Sequence, residues 1–157
     1  MKYFTKQNFL NNQKNIGFFG IPISEKDKSR AEKLKKQGQK VIDEYNEHCR
    51  QIEPYLSDSV KNYIINNAMH DCGIVSSGFV GDDFHMNINS SNSVCTLNEI
   101  TFINAKILEI DSELEGVSWI SEEVYITTTG YELHVLFHAK KGVLGEMVII
   151  FDELIVK

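Results

Sequence analysis

The sequence predicts an α+β protein: a helical N-terminal region, residues 1–69, packed on or beside an antiparallel β meander of about six strands, residues 70–157, curled or barrel-like, the whole forming one compact unit. Three observations predict it. The hydrophobic period changes once, near residue 70, from spacings of three and four to alternation. The alternating segments follow one another across short turns, as antiparallel strands do. Proline occurs only twice in 157 residues, which favours long elements over a loop-rich scaffold.

Thr5 is placed to cap a short helix with Phe9 and Leu10 on its apolar side, and Ile16-Gly17-Phe18-Phe19-Gly20-Ile21-Pro22 reads as an apolar connector. Ser24-Glu25-Lys26-Asp27 is an N-terminal capping pattern. From there Ala31, Leu34, Gly38, Val41, Tyr45, Cys49 and Ile52 fall on one helical stripe. A straight helix of that length would run about 42 Å, against a radius of gyration of about 15 Å for a globule of this size. Either Gly38 breaks it or part of it protrudes. Pro54 ends it, and Ser57 caps a second helix with Val60, Tyr63, Ile64 and Asn67 on one face.

Strands follow at 73–80, at Phe84-His85-Met86-Asn87-Ile88-Asn89, and around 97–104, 117–129, 131–139 and 146–156; Gly81-Asp82-Asp83, Gly130 and Lys140-Lys141-Gly142 punctuate them. Residues 105–110 read as an extension of the third strand after a bulge.

The formal charge is −6, but it divides unevenly: residues 1–69 carry a net +4 and residues 70–157 a net −10. An acidic body repels nucleic acid and anionic lipid, so neither is an expected partner. It suits a basic protein, for which charge complementarity speeds encounter and sets specificity. Cys49, Cys72 and Cys95 are odd in number and widely spaced, so neither a disulfide framework nor a zinc knuckle is indicated. The N-terminus lacks the apolar core of a signal peptide, and no stretch approaches the roughly 18 apolar residues of a membrane span. A cytoplasmic location is expected.

At Met1-Lys2-Tyr3-Phe4-Thr5-Lys6, at Met69-His70-Asp71-Cys72 and at Gly81-Asp82-Asp83-Phe84, the chain resembles an uncharacterised family of small Gram-positive bacterial proteins, the domain-of-unknown-function family numbered 4085. The resemblance implies a cytosolic protein with a helical N-terminal half, a Met/Leu-His-Asp junction and a β meander. A His-Asp-then-hairpin arrangement is also similar to that of proteins proposed as immunity partners of toxins. The family assigns no catalytic residue.

His70 and Asp71 stand where helix hands over to sheet. They could ligate a metal or act as an acid–base pair; structurally, Asp71 caps backbone amides and His70 wedges between the layers. His134 and His138 have the spacing of a helical zinc pair, but their surroundings alternate as a strand does, which sets them about 13 Å apart. One remaining metal arrangement joins His85 to one of them across neighbouring strands. The run Asp111-Ser112-Glu113-Leu114-Glu115, followed by Glu122-Glu123, lacks the spacing of a calcium loop and reads as solvated loop or partner surface. Trp119, the only tryptophan, is either an interface anchor beside those acids or a buried plug of the sheet.

No phosphate loop, nucleophile elbow, HExxH or dinucleotide fingerprint appears, and no cofactor is expected. The sequence therefore favours a non-catalytic protein-binding module whose acidic β surface, with Glu113, Glu115, Glu122, Glu123 and Trp119, meets a basic partner, in an immunity-like role. The alternative is a β protein that binds a small ligand or a metal, or a metal-dependent enzyme, using His70, Asp71 and His85. A helix-mediated dimer through Ala31, Leu34, Gly38, Val41 and Tyr45 is a further expectation.

Overall fold

The computed structural model describes residues 1–13, 25–66, 69–93, 96–138 and 143–157. The connector at Ile16–Pro22, the Ser24 cap, Asn67, Cys95 and the Lys140-Lys141-Gly142 turn lie outside the described residues. The fold is mixed α+β, and the chain divides into two compact units, Met1–Gln51 and Ile52–Lys157.

In the first unit, α1 (Lys6–Gln13) starts where Thr5 accepts a hydrogen bond from Asn8 N at 3.2 Å. α2 (Glu25–Ile52) is continuous through Gly38, so the glycine costs helix propensity without breaking the rod. Its stripe buries Tyr45 and Cys49, and Tyr45 packs against Tyr3 and Phe4 with ring centroids 5.3 and 4.9 Å apart. The polar side is laced within the helix, Lys40 to Glu44 at 3.6 Å and Arg50 to Glu47 at 2.8 Å, as a solvated helix face is.

The second unit opens on a 3-10 turn at Glu53–Tyr55, where Pro54 stops the helix. Ser57 then caps α3 (Asp58–Val60), which runs straight into a π-helical turn, Lys61–Ile65. Ser57 also fixes this segment to the sheet: its N–H donates to the Tyr131 hydroxyl at 2.9 Å and its own hydroxyl donates to Glu153 at 2.8 Å. Val60 and Ile64 enter the core.

Among the described residues eight strands follow, not about six: β1 (Gly73–Val80), β2 (Asp83–Asn89), β3 (Glu99–Ile103), β4 (Lys106–Ile110), β5 (Ser118–Ile126), β6 (Tyr131–His138), β7 (Leu144–Phe151) and β8 (Glu153–Val156). They pair antiparallel in the order β4-β7-β6-β5-β1-β2-β3-β8. The order is linear, so the sheet does not close as a barrel. It does curl. β7 and β8 stand six places apart in the sheet, about 29 Å if it were flat, yet only Asp152 separates them, and one residue bridges about 7 Å.

The third predicted strand and its extension are likewise two strands, β3 and β4, paired with β8 and β7 at opposite ends of the order. The break is at Asn104, whose φ is +49°; its side chain donates to Asp152 at 2.8 Å and its N–H donates to Asp83 at 3.0 Å. The inner face carries Met86, Phe102, Trp119, Val124, Leu133, Val135, Phe137, Met147 and Ile149, all buried.

Gly130 shows how closely the chain crosses itself. A Cβ there would stand 2.3 Å from the Phe151 carbonyl oxygen and 2.8 Å from Asp152 Cα, both backbone atoms that cannot swing aside. Gly130→Ala is therefore expected to cost about 1–3 kcal/mol, the usual penalty of overpacking. Urea unfolding measures it, and a loss near zero would mean that the two backbones are not in contact.

Candidate functional site

The structure sorts the candidate residues into an interior set and an exposed set. Trp119 is wholly buried, its ring edge-on to Phe137 with centroids 5.5 Å apart. Glu122 is 3% exposed and Glu123 0%. All three therefore leave the partner surface on which the sequence places them. Adjacent strand residues point to opposite faces, so Glu122 and Glu123 cannot share a surface, and at these positions both faces of β5 are covered. β5 also carries an irregularity between Trp119 and Ser121, which sets Glu122 beside the indole.

Trp119 Nε1 donates to Glu122 Oε2 at 2.6 Å. Burial pushes the Glu122 carboxyl up to about 8, against the smaller opposing effect of the indole hydrogen bond. Near neutral pH this is a carboxylic acid inside an apolar core. On the other face, Glu123 accepts from the Tyr125 hydroxyl at 2.6 Å.

The histidines do not converge. His85 lies on β2 and His134 and His138 on β6, with β5 and β1 between those strands, so the expected pairing across neighbouring strands does not form. His134 Nε2 meets Glu132 at 2.6 Å. His85 Nδ1 lies 3.2 Å from Glu99 and 3.1 Å from the Thr101 hydroxyl. Acid and hydroxyl share one ring nitrogen, whereas a relay needs them on opposite nitrogens. Glu99 is held below the usual carboxylate range by that His85 contact first and by Lys157, 3.2 Å away, second. Among the described residues no group of three or more His, Cys, Asp or Glu is placed to hold a metal ion.

His70 and Asp71 form a contact pair, Nδ1 to Oδ2 3.0 Å, and both are largely exposed. Asp71 has φ +65°, a left-handed turn that Asp tolerates, and its N–H donates to the Trp119 carbonyl. It borders a cleft of about 340 Å³ that also presents Asn89, Asn92 and Ser118. His85 is elsewhere. It pairs with Gly78, while Asn89 pairs with Gly73, so four residues of β2, about 13 Å, separate it from the junction.

The exposed acids lie at the sheet edge. β4 ends the strand order and, among the described residues, pairs only with β7. Leu108, Glu109 and Ile110 on it are exposed, as are Glu113 and Glu115 in the following loop. Leu114, buried between those two glutamates, pins the loop. Asp111 is committed to structure, its carboxylate accepting from Glu146 N at 2.7 Å. Leu108, Glu109 and Ile110 are missed when the segment is taken as the inner end of a longer strand. The available signal is three apolar residues in Lys106-Ile107-Leu108-Glu109-Ile110, which fit no single two-faced strand, and the irregularity between Ile107 and Glu109 resolves it.

No described helix is long and apolar enough to cross a membrane. No curated protein and no solved structure matches the chain. The family model described as "Protein of unknown function (DUF4085)" matches residues 9–143, most of its length. By that match, the chain belongs to the DUF4085 family.

Proposed function

We propose that this protein is a non-catalytic binding module that takes a basic protein partner on the β4 edge and the loop after it. The observation that carries this reading is one arrangement: an unpaired strand edge exposing Leu108 and Ile110 and ringed by Glu109, Glu113 and Glu115. An open edge offers backbone hydrogen bonds to an added strand, the apolar side chains offer contact area, and the carboxylates select for Lys and Arg. They also bar acidic strands, which is how an open edge avoids indiscriminate pairing. Neutralisation of a basic toxin, an immunity-like role in the bacterial cytoplasm, is the specific form of this reading.

The test uses tagged protein as bait in lysate of its source cell at low salt. A basic protein recovered in stoichiometric amount with the wild type, and lost with Glu109→Lys/Glu113→Lys/Glu115→Lys, is the expected result. Equal recovery with the reversed bait contradicts it.

The cleft beside Asp71 favours a second reading, a small polar ligand held by Asp71, Asn89, Asn92 and Ser118. A thermal shift with sugars or amines that Asp71→Ala abolishes would support it; no shift with any of them would count against it.

A further inference from the structure

β4 offers its free side in a definite register. Asp111 N–H donates to the Glu146 carbonyl, on β7, at 3.2 Å, so its backbone turns toward β7. In an antiparallel pair the backbone groups of successive residues point to opposite sides. Ile110 N–H and C=O therefore point away from β7, to the side where, among the described residues, no strand lies. Side chains alternate between the two faces. Ile110 pairs with the buried Met147 and belongs to the inner face, whereas Glu109 pairs with Val148 and belongs to the outer face. The irregularity between Ile107 and Glu109 interrupts this register toward Lys106, so a regular added strand fits the end of β4 that carries Glu109 and Ile110.

Building on the reading of this edge as the partner surface, we propose that the partner's docking segment is an extended strand of alternating basic and apolar residues, added antiparallel to β4. Every described pairing in the sheet has that sense. An apolar residue of the segment stands opposite Ile110 and exchanges both backbone hydrogen bonds with it. Directly opposite residues share a face, so its side chain lies against Ile110, which is 42% exposed. The next residue of the segment stands opposite Glu109, and the preceding one reaches the end of β4 that leads into the exposed Glu113 and Glu115. Opposite charges attract and like charges repel across a strand pair, so both flanking positions call for Lys or Arg. A basic helix fits less well, because its backbone groups are bonded internally and leave those of Ile110 unanswered.

Two labelled, end-blocked peptides of one composition separate pattern from charge: Lys-Val-Lys-Val-Lys alternates and Lys-Lys-Lys-Val-Val does not. Fluorescence anisotropy with the full chain at low salt should give the alternating peptide a Kd between about 1 and about 500 µM, the range of weak association. The block peptide should bind about tenfold more weakly. N-methylation of both Val amides, which face β4, should also cost about tenfold, the worth of one or two hydrogen bonds; N-methylation of the middle Lys, whose amide faces away, should cost little. Amide exchange at Ile110 should slow when the alternating peptide is added. Equal binding of the two peptides, or indifference to Val N-methylation, overturns strand addition and leaves the acidic partner surface standing. Binding unchanged by Glu109→Lys/Glu113→Lys/Glu115→Lys overturns both, since the peptide is then held elsewhere. Binding of neither peptide overturns strand addition, while capture from lysate separately decides the partner surface.

Discussion

Glu122→Gln is expected to remove most of the loss of stability that the wild type shows between about pH 4.5 and pH 8. The unfolded glutamate ionises near its ordinary 4.5, whereas burial keeps the folded carboxyl protonated up to about 8. Between those values the native state binds more protons than the unfolded state. Stability is thus fully present below about 4.5, declines as pH rises, and levels off above about 8. The full span corresponds to a loss on the order of 5 kcal/mol, a large share of the roughly 5–15 kcal/mol that small proteins possess. Glutamine keeps the shape and the acceptor for the Trp119 indole and cannot ionise. Urea unfolding at pH 5, 7 and 9 for both proteins is the measurement. The difference between them isolates Glu122 from the five histidines, which both proteins share. Parallel pH dependences would show that Glu122 is not buried as described.

Trp119→Ala is expected to destabilise by about 3–5 kcal/mol, the range for deleting a buried aromatic side chain. The indole fills the core against Phe137 and supplies the hydrogen bond to Glu122, so both packing and polar pairing go together. Trp119→Phe separates them. It keeps an aromatic ring and removes the N–H, and about 1–3 kcal/mol is expected from leaving a buried polar group without that partner. The indole contact lowers the Glu122 value, so without it the decline in stability should extend to higher pH than in the wild type. Circular dichroism during urea unfolding reads both variants. A loss under about 1 kcal/mol for Trp119→Ala would contradict a buried indole.

Much of the architecture is legible in the residues. Thr5, Pro54 and Ser57 act at the boundaries where their chemistry places them, and the alternation from Phe84 to Asn89 gives β2. Two kinds of feature are not legible. Breaks within long alternating runs leave no turn signal: Asp152 and Asn104 interrupt their strands only because the curled sheet passes the chain from one end of its order to the other. A pair of acidic residues looks like surface, since a buried carboxylate is costly; a strand nonetheless turns one of two neighbours inward, and Glu122 is tolerated there by keeping its proton and meeting Trp119. Glu113 and Glu115, read as solvated loop or partner surface, are exposed in a loop, while Leu108 and Ile110 beside them become visible only once β4 is known to be an edge.

The binding account rests on one electrostatic claim, that Glu109, Glu113 and Glu115 steer a basic partner to the β4 edge. Its most direct test is the association rate of the captured partner with wild type and with Glu109→Lys/Glu113→Lys/Glu115→Lys, followed from about 20 to about 300 mM salt, a range over which screening grows strongly. The account predicts a wild-type rate that falls steeply with salt and a reversed variant slower by about tenfold or more at low salt, the two converging as screening rises. Equal rates at low salt would contradict it.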